Sequence, residues 1–196
     1  MNMSPKALIL TMWCALLAAP AVHAQESDAA AGHEPARVRF FGRAVLDMKF
    51  YPASACVGGR SVVVSRSGLK GGLGSKENLS LGIPETPDLI NMEERDGFFS
   101  KAFYREYAVD GGRPMAIQGA EEQTTGARRS RSSFSCGPIG GVFVPESGKD
   151  YEVAFNYGDG MCRVDVAQID SSEGDIKLVP VALAPLLPCP AAAGKP

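Results

Sequence analysis

Hydrophobic and polar positions alternate most regularly over residues 133–169. Tyr151, Val153, Phe155 and Tyr157 are interleaved with Glu152, Ala154 and Asn156, a period of two that puts aromatic and β-branched side chains on one buried face of a strand. Gly158-Asp159-Gly160 signals a tight reversal, and Cys162, Val164 and Val166 alternate with Arg163 and Asp165 on the returning strand. Upstream, Val142-Phe143-Val144 is a short apolar strand closed by Pro145 and Gly148, because proline fixes φ and glycine accepts positive φ. A hairpin symmetric about Asp159 sets Cys162 opposite Asn156. A neighbouring strand through residues 139–144 then brings Cys136 within disulfide reach, which needs Cα atoms within about 7 Å.

The same reading extends along the chain. Val38, Phe40 and Ala44-Val45-Leu46 predict a first strand that bends near Gly42 and ends at Tyr51-Pro52. Val62-Val63-Val64 centres a second strand over residues 60–66. Tyr107 and Val109 before Asp110-Gly111-Gly112, with Met115 and Ile117 after it, predict a second hairpin. Residues 176–183 form a last strand, which Pro180 assigns to an edge or bulge. Pro84 and Pro87 stop any helix through residues 79–89, but residues 88–95 suit a short one, with Asp88 as its cap and Leu89 and Met92 facing inward. Regular short strands between Gly/Pro turns predict an all-β fold, an antiparallel sandwich of about seven strands over residues 37–184. Phe98, Phe99, Phe103, Tyr104 and Tyr107 form the densest aromatic cluster; such clusters are more often core than sugar-stacking platform.

The N-terminus changes the setting. Residues 1–24 hold one basic residue, Lys6, an apolar run over 7–19, and Val22-His23-Ala24 at the positions a signal peptidase reads. The run is too short, and broken by Pro20, for the roughly 20 apolar residues of a membrane anchor. Cleavage after Ala24 leaves a flexible lead-in over residues 25–36, the sandwich, and a Pro/Ala-rich tail over residues 185–196. The formal charge moves from −2 to about −3, so nothing in the bulk electrostatics attracts nucleic acid. The expected location is the periplasm or the outside of the cell. Cys56, Cys136, Cys162 and Cys189 then form two disulfides in an oxidising compartment. Three connectivities are open; strand geometry favours Cys136–Cys162, leaving Cys56–Cys189 to tie the early chain to the tail.

Candidate chemistry is sparse. The only histidine past the leader, His33, lies in the lead-in, which removes Ser-His-Asp, Cys-His and histidine–metal arrangements. No C-x-x-C pair supports thiol chemistry, and no metal or cofactor is expected. Residues 67–75 form a glycine-rich loop with Lys70, but Gly74 is followed by Ser75-Lys76 rather than by the lysine and Ser/Thr of a nucleotide-binding loop. Arg128, Arg129 and Arg131 lie in a polar stretch and could grip a carboxylate, a phosphate or an acidic partner; such a run is more often a solvated loop. Paired carboxylates of the glycosidase type survive as an option, with no two acids singled out.

The run Phe143-Val144-Pro145, Gly148, Tyr151-Glu152-Val153, Gly160 and Cys162-Arg163-Val164, with Tyr107-Ala108-Val109 and Gly112-Arg113-Pro114-Met115 upstream, resembles a pattern in uncharacterised exported proteins of Gram-negative bacteria. The resemblance spans the C-terminal half from Glu106; it implies a small β-sandwich and brings no catalytic residues. The expectation is an exported, non-enzymatic binding or structural module of the bacterial envelope. Its partner would be a protein or envelope component met through loops carrying Lys70 or Arg128, Arg129 and Arg131. The alternatives are a glycan-binding or carboxylate-dependent glycan-hydrolysing domain, and an inhibitor or immunity-type partner of an exported protein.

Overall fold

A computed structural model describes residues 34–67, 77–94, 102–125 and 132–190. The leader, Lys70, Phe98, Phe99, Arg128, Arg129 and Arg131 lie outside them. Among the described residues there are ten strands and one helix: β1 Ala36–Arg43, β2 Leu46–Tyr51, β3 Val62–Ser65, α1 Pro87–Glu94, β4 Ala102–Val109, β5 Met115–Thr125, β6 Ser132–Phe143, β7 Asp150–Gly158, β8 Met161–Asp170, β9 Lys177–Pro180 and β10 Ala184–Pro185. They form two five-stranded sheets, β4-β1-β7-β8-β9 and β10-β6-β5-β2-β3. The all-β class stands, with ten strands rather than seven. The first sheet is mixed, because β1 runs parallel to β7.

Alternation built the core as read. Phe40 of β1 stacks on Phe50 of β2 with ring centroids 4.9 Å apart, and Tyr107 meets both rings edge-on at 5.9 and 5.1 Å. Tyr151, Val153, Phe155, Val164 and Val166 join them between the sheets. Of the described members of the aromatic cluster, Phe103 is buried and Tyr107 packs against this core, whereas Tyr104 lies on the outer face of the first sheet.

Two local expectations need correction. The first strand does not bend at Gly42: Ala44 and Val45 turn the chain from the first sheet into the second, making two strands of one apolar run. The Asp110-Gly111-Gly112 turn likewise joins β4 to β5 across the sandwich rather than within a hairpin, since alternation fixes which face is buried but not which strand is the neighbour. The polar stretch holding Arg128, Arg129 and Arg131 is flanked on both sides by strand, with β5 and β6 pairing out to Thr125 and Ser132.

The reversal after β7 has a two-residue loop, Asp159-Gly160, with φ of 52° and 76°, the positive values a tight hairpin turn requires. This sets Tyr157, not Asn156, opposite Cys162. Cys136 and Cys162 are joined with Cα atoms 6.1 Å apart, but β6 and β8 belong to different sheets, so the bond staples the sandwich rather than neighbouring strands. Cys56 is joined to Cys189 at 4.9 Å, and Val57 exchanges backbone hydrogen bonds with Leu187 and Cys189 at 2.8 and 3.0 Å, which fastens the tail to the second sheet's end of the chain.

Candidate functional site

The outer face of the first sheet is the unexpected part. Its alternation predicts solvated polar residues, yet register aligns Glu106 of β4, Arg39 of β1 and Glu152 of β7 in one row, and all three are buried. Residues 77–94 lie across them. Leu79 adds to the edge of β4, its N–H donating to the Tyr104 carbonyl at 3.1 Å and its carbonyl accepting from Glu106 at 2.8 Å. Prolines at 84 and 87 keep the segment from becoming a long helix and leave its backbone groups free to meet the charges beneath.

Arg39 and Glu106 saturate each other and the segment. Arg39 donates to Glu106 Oε1 from Nε and Nη2 at 3.0 and 2.8 Å, and to the Ile83 and Pro84 carbonyls at 2.7 and 2.9 Å. Glu106 Oε2 accepts from Ser80 Oγ at 3.2 Å, from Ile83 N at 3.3 Å and from the Leu81 amide. Buried charges persist when paired and hydrogen-bonded on all sides, and this pair is. Arg37 repeats the arrangement nearer the surface, binding both Asp150 oxygens at 2.7 and 2.6 Å.

Glu152 has fewer partners. It is 3% exposed, its Oε2 accepts from Thr86 Oγ1 at 2.7 Å, and no N–H or O–H donor among the described residues reaches Oε1. Burial pushes its pKa up to about 7, and the charge and hydrogen bond of Asp88 push the same way, against the Thr86 hydrogen bond and the Arg39 charge. A buried carboxyl beside a second acid keeps its proton to higher pH. Asp88 is not the helix cap. Thr86 caps α1 by accepting from Leu89 N at 3.2 Å, and Pro87 takes the first helical position, where a missing N–H costs nothing.

Beside this carboxyl pair, between α1 and the end of the first sheet, is a cleft of 390 Å³. Phe41, Ala102, Ala154 and Met92 supply apolar lining; Arg43, Asp88, Asn91 and Asn156 supply polar groups. Arg43 is paired with buried Glu121. Asn156 donates from Nδ2 to Asp165 Oδ2 at 2.7 Å.

The four predicted cysteines are therefore in two pairs at opposite places in the sandwich. Sequence reasoning treated Asp88 only as a cap and passed over Arg39, Glu106 and Glu152. The available signal was the proline-punctuated stretch with Ile83 and Leu89, apolar side chains that the structure buries while Leu79 and Leu81 stay exposed. Compared with known proteins, the chain matches no family model, no curated protein and no solved structure.

Proposed function

We propose that the protein is an exported, non-enzymatic binding module of the bacterial envelope that holds a small ligand, or one side chain of a larger partner, in the cleft between α1 and the first sheet. The cleft carries this reading. Its 390 Å³ falls within the roughly 300–1,000 Å³ of small-molecule sites, and its lining mixes apolar walls with a few polar groups. Strands β1 and β7 form one side, and α1 is held on the other by the buried Thr86–Glu152 contact, so the walls are preorganised. Two disulfides are compatible with a periplasmic or extracellular setting. Among the described residues, no helix is long and apolar enough to cross a membrane.

Binding is favoured over glycoside hydrolysis by one observation. Among the described residues Asp88 is the only carboxylate lining the cleft, since Glu152 is buried outside it, whereas a glycosidase needs two carboxyls flanking the scissile bond. The experiment is native mass spectrometry of the folded protein after incubation with a small-molecule extract of the envelope, compared with Ala154→Trp, which fills the cleft. A ligand adduct on the wild type that is lost from a folded Ala154→Trp supports the reading; an equal adduct on both removes the cleft from it.

A further inference from the structure

Resting on the cleft as the binding site, we propose that its ligand carries a protonated amine on an apolar stem, and that the amine binds at Asp88 beside the buried Glu152, whose Oε1 meets no donor among the described residues. Two charged residues line the cleft among those described, and they are not equivalent. Arg43 is committed to Glu121, and its Nε is enclosed away from solvent. Asp88 is exposed, and the group beside it is a second acid, Glu152. Asn91 follows it by three residues on α1 and offers an amide carbonyl on the same helix face. Asn156 has spent Nδ2 on Asp165 and keeps Oδ1 as an acceptor. An ammonium has three N–H donors and no acceptor, which suits a carboxylate and two amide carbonyls. Phe41, Met92, Ala102 and Ala154 suit an alkyl stem.

The second observation is the orphaned oxygen of Glu152. Groups facing Glu152 are Arg39 from β1, Thr86 and Asp88 from the covering segment, and Ala167 opposite on β8, with Glu106 beyond Arg39 on β4. The guanidinium is already claimed by Glu106, leaving two acids and no dedicated cation. Without a ligand the missing positive charge is the proton on Glu152. An ammonium at Asp88 supplies the charge instead, and the proton passes to water: one cation enters and one H⁺ leaves. Reciprocity of linked equilibria then makes amine binding tighten as pH rises. The elevated Glu152 pKa of about 7 agrees with a proton held there.

The test uses n-hexylammonium and its neutral counterpart n-hexanol, each titrated into the intact protein and followed by backbone amide shifts at about pH 5.5 and about pH 8. The expected result is that hexylammonium moves the amides of Asp88, Asn91 and Ala154 and binds about tenfold more tightly at the higher pH, while hexanol shows no such dependence. Asp88→Asn is expected to remove the preference for the amine. Glu152→Gln is expected to flatten the pH-dependence, because a neutral amide holds no titrating proton. Equal binding of the two probes at both pH values overturns the amine proposal while leaving the cleft a binding site. Amine binding with the same pH-dependence in Glu152→Gln overturns the link to Glu152. Failure of both probes to move these amides overturns the amine proposal, and the adduct comparison with Ala154→Trp then decides separately whether the cleft binds anything.

Discussion

A carboxyl with one donor and no solvent is stable only while it keeps its proton, and Glu152 is in that position. Its folded-state pKa is about 7 against an ordinary 4.5, so below pH 4.5 it is protonated whether the chain is folded or not and costs nothing. As pH rises from 4.5 to about 7 the unfolded chain loses its proton first, and stability falls; above that window the loss is complete. Glu152→Gln is expected to match the wild type in acid and to exceed it at pH 8 by about 1–3 kcal/mol, read from urea unfolding at several pH values. Arg39 and Glu106 behave oppositely because each leaves the other's charge unmet. Arg39→Ala is expected to cost about 3–5 kcal/mol in the same unfolding assay, and Glu106→Ala a similar amount. None of this was legible in the sequence. Glu152, Arg39 and Glu106 sit at the polar positions of alternating strands, and alternation cannot distinguish a polar face open to water from one roofed by a distant segment.

Strands were legible where the period of two was long, and their neighbours were not. The alternation from Tyr151 to Val166 correctly gave β7, β8 and the turn between them, but the register moved by one residue because the loop has two residues rather than three. Tyr157, read as part of the buried face, is 55% exposed, since it lies beyond the end of the core, edge-on to Phe134 at 4.5 Å. The strand expected to bend near Gly42 and the hairpin expected at Asp110-Gly111-Gly112 both change sheets, because a turn signal says that the chain reverses and not which layer it enters. Close approach between layers is visible at Gly119, where a Cβ would stand 2.5 Å from the Phe155 ring. Gly119→Ala is expected to destabilise by about 1–3 kcal/mol in thermal unfolding, with partial recovery when Phe155→Leu is added.

At the scale of the molecule, the disulfides do different things. Cys136–Cys162 joins the sheets, whereas Cys56–Cys189 holds a tail that otherwise adds only the two-residue β10 and a few contacts around Val57 and Leu186. Replacing Cys56 and Cys189 together by serine is expected to cost about 2–4 kcal/mol and to release the Val57 and Cys189-position amides to fast hydrogen exchange while the core around Phe40 stays protected. The two sheets, the covering segment and α1 together bury Glu152 beside Asp88 of the cleft wall, and the Glu152 proton is the most direct thing to measure. Side-chain carboxyl ¹³C resonances of the intact protein, assigned by loss of one signal in Glu152→Gln, report it by titration. The expected midpoint for Glu152 is about 7, with the backbone amide of Asp88 following the same transition. A midpoint near the ordinary 4.5, with the Asp88 amide unmoved, would contradict the proton on Glu152 and with it the pH-linked cleft.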